Sequence, residues 1–210
     1  MSDIKIKRRV LSACDTNCYY VYREGVDEIV VIDPGDAGVI VYDDVKSLGF
    51  ERVAGILLTH GHGDHTGGAK KLQELSGAKI YAHAEEADIL QDAAKNLSGW
   101  FGEPYGFDAD VYLQDGEEFD MAGIHFKVIH TPGHTKGGCC YYAEADGCLF
   151  CGDTIFNCSV GRTDFYSGSM SQLARSIREK ILTLPGDTKL YSGHGEKTTV
   201  AYEEQYNPCL

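Results

Sequence analysis

Hydrophobic and polar residues alternate from Ile4 to Ser12, and that period of two predicts a strand. The β-rich runs "CYYVYR" and "EIVVID" predict two more strands around a turn at Glu24–Asp27, and "DPGD" at Asp33–Asp36 stops the third. From Val39 to Leu48 the apolar positions take helical spacing, ending at Gly49. Val53–Leu58 is short and wholly apolar, which reads as a strand buried on both faces. Gly68–Leu75 predicts a helix ending near Gly77, "KIYAH" a strand, and Glu85–Lys95 another helix.

The second half repeats the strand-rich pattern. "EEFDMAGIHFKVIH" predicts two strands, "GGCCYYAE" and "GCLFCGD" one each, Met170–Leu182 an amphipathic helix, and "TKLYSGH" a last strand. Strands run, a few helices follow, and strands run again. This order favours an α/β (α+β) fold of two stacked mixed β-sheets with helices on the outer faces. A doubly wound parallel sheet would alternate regularly. The halves are loosely similar, but no repeat is strong enough for an array. No low-complexity linker divides residues 1–210, which read as a single domain. Residues 96–110 are irregular and carry Trp100, Phe101, Tyr105 and Phe107. An apolar patch over the core, a lid over a substrate and an interface are all open readings.

Composition narrows the function. A chain of 210 residues, 43% hydrophobic and 24% charged, has ample material for a core. Its net charge of −13 disfavours nucleic acid and anionic membrane as partners. The only basic run, "KIKRR" at Lys5–Arg9, reads better as strand than as a binding patch. No apolar stretch has signal-peptide or membrane-spanning character, so the expected location is cytoplasmic. The eight cysteines are then expected to be reduced thiols, including the C-x-x-C of Cys148 and Cys151, which has no second pair at zinc-finger spacing.

The candidate chemistry lies in "LLTHGHGDHTGG", Leu57–Gly68. His60, His62, Asp64 and His65 supply imidazole nitrogens and a carboxylate, a set suited to zinc and other borderline divalent metals. The intervening glycines let the backbone turn tightly, and the preceding buried strand is a rigid mount. Four candidate ligands from one loop exceed what one metal takes from adjacent positions. Three further ligand-type residues sit in glycine-containing loops just beyond strands: His134, Asp153 and His194. Loops at strand ends along one sheet edge converge, so these seven can build one site. Spacing alone does not sort them between two metals. His83 and His125 lie in strand-like segments away from the cluster, and His130, four residues before His134, is at most an outer partner.

The chain resembles the metallo-β-lactamase fold superfamily, and within it the glyoxalase II-like, hydroxyacylglutathione hydrolase-like group. The matching pieces are "NCYYV", "IDPG", "THGHGDHTGG", "HTPGHTKGG", "CGDTIF", "GRTDF" and "SGHGEKTT", in the family's order over residues 17–199. The resemblance implies a four-layer αβ/βα sandwich with a dinuclear site at one edge. It assigns His60, His62 and His134 to one metal, and Asp64, His65 and His194 to the other, with Asp153 bridging. The implied cofactors are two divalent ions, zinc foremost, with iron or manganese as the other candidates.

The implied chemistry is attack of a metal-bridging hydroxide on the carbonyl of a small-molecule thioester of the S-lactoylglutathione type. Asp64 would ligate and also handle a proton, as the catalytic residue. Arg162 in "GRTDF" falls where the group places a basic residue for a thiol's carboxylate, although pairing with Asp164 or Asp153 would equally explain it. The resemblance departs in one respect. Glyoxalase II continues into a helical C-terminal domain, whereas 16 residues follow His194 here, enough to cover the rim of the site. Two alternatives share the fold: a mononuclear iron persulfide dioxygenase using His60, His134 and Asp153, and a hydrolase of a lactone or another ester. The oligomeric state stays open.

Overall fold

The structure, a computed structural model, describes residues 3–210. The first sheet holds six strands in chain order: β1 (Ile4–Leu11), β2 (Thr16–Arg23), β3 (Glu28–Ile32), β4 (Arg52–Leu57), β5 (Ile80–His83) and β6 (Val111–Leu113). The first three pair antiparallel, and β3 to β6 pair parallel. Helices α1 (Gly38–Ser47), α2 (Gly63–Thr66), α3 (Ala69–Ser76) and α4 (Ala87–Gln91) lie among these strands in sequence. The second half supplies β7 (Glu118–Met121), β8 (Ile124–His130), β9 (Cys139–Ala143), β10 (Cys148–Gly152) and the small hairpin β11 (Ile155–Phe156)–β12 (Ser159–Val160). Helix α5 (Met170–Ser176), β13 (Lys189–Ser192), β14 (Thr198–Thr199) and α6 (Val200–Tyr206) follow. The second sheet has the order β14-β13-β10-β9-β8-β7, with β10 and β13 parallel.

Period two decides the layers. In β3, Val30 and Ile32 face the second sheet, where they meet Phe126, Tyr141 and Phe150. Ile29 and Val31 face outward against Val41 and Val45 of α1 and Leu72 of α3. The second sheet does the same: Phe150 points between the sheets, while Leu149 and Cys151 pack under Leu173, Ile177 and Val200. The expected sandwich is therefore present, two mixed sheets face to face with helices outside. Cys148 and Cys151 point to opposite faces of β10, and all eight cysteines are free thiols.

Some boundaries moved. The helix expected over Glu85–Lys95 stops at Gln91. The Asp92 side chain accepts from Ala94 N at 2.9 Å and its carbonyl accepts from Lys95 N and Asn96 N, a local turn that competes with helix. The helix expected over Met170–Leu182 becomes α5 followed by a wider π-type segment, Ile177–Ile181. The tail does not cover the rim of the site. It forms α6 and braces the β11–β12 hairpin from outside: Cys158 N donates to Glu203 Oε2 at 2.9 Å, and Asn207 Nδ2 to the Ser159 carbonyl at 2.9 Å.

Strand direction creates the site. Strands β3, β4 and β5 end at one edge of the first sheet. Strands β8, β10 and β13 run parallel to one another and end at one edge of the second. The sheets are tied together there: Tyr141 OH donates to the Leu58 carbonyl at 2.8 Å, and Tyr19 OH to the Ser192 carbonyl at 2.6 Å. Among the described residues, no helix is long and apolar enough to cross a membrane.

Candidate metal centre

All seven residues nominated from the sequence meet at that edge. His60, His62, Asp64 and His65 follow β4, with Asp64 and His65 carried by the short helix α2. His134 follows β8, Asp153 follows β10, and His194 follows β13. His62 Nδ1 lies 2.9 Å from His134 Nε2, which lies 3.2 Å from His60 Nε2. On the other side, His65 Nε2 lies 3.3 Å from His194 Nε2, and His194 Nε2 lies 3.4 Å from Asp64 Oδ2. Asp153 stands between: its Oδ2 is 3.5 Å from both His134 Nε2 and His194 Nε2. Ligand atoms thus gather as one three-imidazole group, one Asp64–His65–His194 group, and a carboxylate touching both.

The outer nitrogens explain the orientation of the rings. His65 Nδ1 donates to Asp33 Oδ2 at 2.9 Å, His134 Nδ1 to the Arg162 carbonyl at 2.7 Å, and His194 Nδ1 to the Cys14 carbonyl at 3.0 Å. Thr59 OH donates to Asp33 Oδ2 at 2.6 Å, leaving its oxygen to accept from His60 Nδ1 at 3.2 Å. Each contact holds Nδ1 outward and leaves Nε2 facing the centre of the cluster. His62 differs, presenting Nδ1, and its Nε2 is buried without a partner. Asp153 Oδ1 lies 3.3 Å from His65 Nε2, yet no N–H is aimed at it. Converging lone pairs and a buried carboxylate oxygen without a donor are what a divalent cation satisfies, so the residues fit a metal.

The electrostatics divide the same way. Burial, reinforced by neighbouring imidazoles, holds His60 well below its ordinary value and His62 down to about 3. Both imidazoles are neutral at physiological pH. Burial also opposes charge on His65 and His194. There the carboxylates outweigh it: Asp153, Asp64 and Asp33 push His65 well up, and Asp153 and Asp64 raise His194 to about 9. Burial likewise opposes ionisation of Asp64 and Asp153, but His65 and His194 hold both below the usual carboxylate range.

Above the cluster lies a cavity of about 350 Å³. Its floor is His62, Asp64, His134, Asp153 and His194, and its walls include Trp100, Phe101, Phe156, Val160 and Phe165. Part of the irregular segment 96–110 helps form these walls. Tyr105 anchors it, its hydroxyl 2.8 Å from Thr66 Oγ1, while Trp100 packs edge-on against Phe165 and walls the cavity. Arg162 lines the cavity, and its guanidinium pairs with both oxygens of Asp164 at 2.7 Å, the structural role the sequence allowed for it. It lies over the Phe165 ring at 4.0 Å.

The remaining histidines stay outside. His83 and His130 stack at 4.1 Å, and His130 Nε2 donates to the Lys136 carbonyl at 2.7 Å. His125 is exposed on β8 between Glu118 and Asp120. Sequence reasoning missed Asp33, Glu86 and Phe165. Asp33 had a signal, a carboxylate closing an apolar strand in "IDPG". Glu86 had none, being one of two glutamates at a helix start.

The sequence pattern of the Metallo-beta-lactamase superfamily (Lactamase_B) matches residues 11–194. The chain belongs to that superfamily. It is a metallo-hydrolase of this fold with a divalent-metal site. It is 34% identical over 209 residues to YqgX of Bacillus subtilis, described as a "Probable metallo-hydrolase", covering 99% of this chain and 98% of that one. It is 32% identical to "Hydroxyacylglutathione hydrolase GloC" of Haemophilus influenzae, covering 95% of each. Among solved structures, BLEG-1 B3 metallo-beta-lactamase superposes with a TM-score of 0.91 at 35% identity, over 97% of this chain and 98% of that one. TTHA1623 in a di-iron-bound form gives 0.84 at 31%, covering 97% and 100%. ETHE1 from Myxococcus xanthus gives 0.80 at 26%, covering 97% and 83%.

Proposed function

We propose that this metallo-hydrolase cleaves thioesters of small thiols, of the S-lactoylglutathione type, with two divalent ions at the His/Asp cluster. The observation that carries the reading is the cavity itself: a ligand-lined floor, aromatic walls, and Arg162 at the side. The likeness to GloC, named a hydroxyacylglutathione hydrolase, supports the choice of thioester. His60, His62 and His134 would hold one ion, Asp64, His65 and His194 the other, and Asp153 would bridge. Zinc is our first choice and iron the second, the latter supported by the di-iron form of TTHA1623. When bound, such a pair lowers the pKa of a shared water and polarises a carbonyl.

The chain's own residues account for the rest. Water adds to the carbonyl carbon, and the carbon–sulfur bond breaks with its electron pair leaving on sulfur. The products are a carboxylate and a thiol. Asp64, at the floor of the cavity, would accept the water's proton through its carboxylate and pass it to the departing sulfur. The aromatic walls offer an apolar contact surface to the acyl and thiol parts of the substrate. Arg162, exposed at the cavity side, meets a carboxylate on the thiol half of the substrate. The eight free cysteines accord with a reducing, cytoplasmic setting.

A second reading has a specific observation behind it. His134 Nε2 lies 3.2 Å from His60 Nε2 and 3.5 Å from Asp153 Oδ2, a set that suits one iron in a persulfide dioxygenase. The two are separated by assaying S-lactoylglutathione with protein of measured zinc and iron content. Metal-dependent thiol release is expected. No turnover by protein carrying two metals overturns the thioesterase reading. Oxygen uptake with a persulfide by protein carrying one iron would establish the second. Turnover of a lactone or β-lactam alone would instead align the chain with BLEG-1.

A further inference from the structure

Glu86 is a buried carboxylate that touches no metal ligand, and it lies just after β5, between two ligand loops. Its Oε1 accepts from Gly61 N at 2.8 Å, the amide between His60 and His62. Its Oε2 accepts from Thr135 Oγ1 at 3.0 Å, the hydroxyl next to His134. Gly137 N–H adds a further donor. One carboxylate therefore joins the loop that carries two imidazoles to the loop that carries the third.

Two glycines make room for it. A Cβ at Gly137 would stand 2.3 Å from Glu86 N and 2.5 Å from Glu86 Oε2. A Cβ at Gly61 would stand 2.8 Å from Ile89 Cγ2 and 3.1 Å from Glu86 Oε1. The glycines of "HGHGD" and "TKGG" thus serve more than tight turning: they let the carboxylate approach both backbones. The other ligand group is held differently, by Asp33 on His65 and by the Cys14 carbonyl on His194.

We propose that Glu86 is the positioning residue of the three-imidazole group: it holds the His60–His62 loop and the His134 loop at the separation one metal requires. The proposal rests on the two-metal reading above. Its consequence is selective. Loss of the Glu86 carboxylate's two accepted hydrogen bonds loosens His60, His62 and His134 together and leaves Asp64, His65 and His194 as they were. A carboxylate that merely filled the core would affect both groups alike.

The test is calorimetric titration of the metal-free full chain with Zn²⁺ in two backgrounds. His194→Ala leaves the three-imidazole group intact, and His62→Ala leaves the other. In the His194→Ala background, Glu86→Gln is expected to lower zinc affinity about 10–100-fold, as loss of an outer-shell partner does. In the His62→Ala background it is expected to change affinity by less than about twofold, since no contact of Glu86 reaches that group. Co²⁺ absorption should shift in the first background and not in the second. Equal losses in both, or no loss in the first, overturn the proposal. Should Glu86→Gln fail to fold, Thr135→Val removes one arm only. A several-fold loss confined to the first background then supports the proposal, and no loss overturns it. The unsubstituted chain binding a single zinc would overturn the two-metal reading, while the His194→Ala comparison still judges Glu86.

Discussion

Asp33 Oδ2 lies 2.9 Å from His65 Nδ1, and the same oxygen accepts from Thr59 Oγ1 at 2.6 Å. Asp33 Oδ1 accepts from Thr59 N at 2.8 Å, so one buried carboxylate at the end of β3 orients His65 directly and His60 through Thr59. Asp33→Asn keeps the shape but replaces an acceptor with a donor. Metal affinity is expected to fall about 10–100-fold, with the larger loss in the Asp64–His65–His194 group. Metal content after dialysis against a graded chelator series measures it; retention equal to the parent would show that ring orientation does not limit binding.

Removal of a ligand should be harsher. His62→Ala takes one nitrogen from the three-imidazole group, and Asp153→Ala takes the carboxylate that touches both groups. Both are expected to abolish turnover. His62→Ala should retain about one metal per chain, and Asp153→Ala should lose part of both. Elemental analysis beside the hydrolysis assay checks the pair. Full activity in either would defeat the two-metal mechanism.

Arg162 separates binding from chemistry. Its side chain meets Asp164 and Phe165, but its carbonyl orients His134 and survives truncation. Arg162→Ala is expected to raise KM several-fold for a thioester whose thiol carries a carboxylate, with kcat nearly unchanged. The matching ester without the carboxylate should show no change. A fall in kcat with both substrates would mean that the side chain serves only to hold the loop.

Gly35 has no room for a methyl group. A Cβ there would stand 1.6 Å from the Asp64 carbonyl oxygen and 3.3 Å from His65 Cα. Gly35→Ala must push α2 aside, at a cost of about 3 kcal/mol or more. Denaturant unfolding should show the loss, and metal content should fall with it. A variant with parental stability and full metal content would contradict the packing described.

The burial of Glu86 carries a pH signature. Burial raises its carboxyl from 4.5 to about 7, against the opposing hydrogen bonds from Gly61, Thr135 and Gly137. The folded state therefore holds this proton more tightly than the unfolded chain. The stability it contributes is full below about pH 4.5 and is lost as pH rises through about 7, a change on the order of 3 kcal/mol. Denaturant unfolding of metal-free protein at pH 5 and pH 8 should show that fall, and Glu86→Gln should reduce it. An identical pH dependence in the two would assign the effect to other groups.

Much of this molecule is determined by the sequence alone, because its signals are local. Alternation in Ile4–Ser12 and the apolar run Val53–Leu58 fix strands, since a period of two commits each side chain to a face. The seven ligand-type residues were legible because each is a metal-binding side chain in a glycine-containing loop just past a strand. Less legible were elements whose fate depends on competing local bonds, as where Asp92 ends α4 early, and short pieces such as β11, β12 and α6 that exist only through packing. Spacing alone did not group the seven residues; the tertiary structure shows which of their atoms converge and what supports them. Strand direction in two separate sheets brings His134 to His62 across 72 residues of chain, and no local pattern encodes that distance. The roles of Asp33 and Glu86 depend on which loops fall within hydrogen-bond reach of a buried carboxylate. That reach is a property of the packed sandwich, because burial makes each unsatisfied oxygen costly and so selects the partners that surround it.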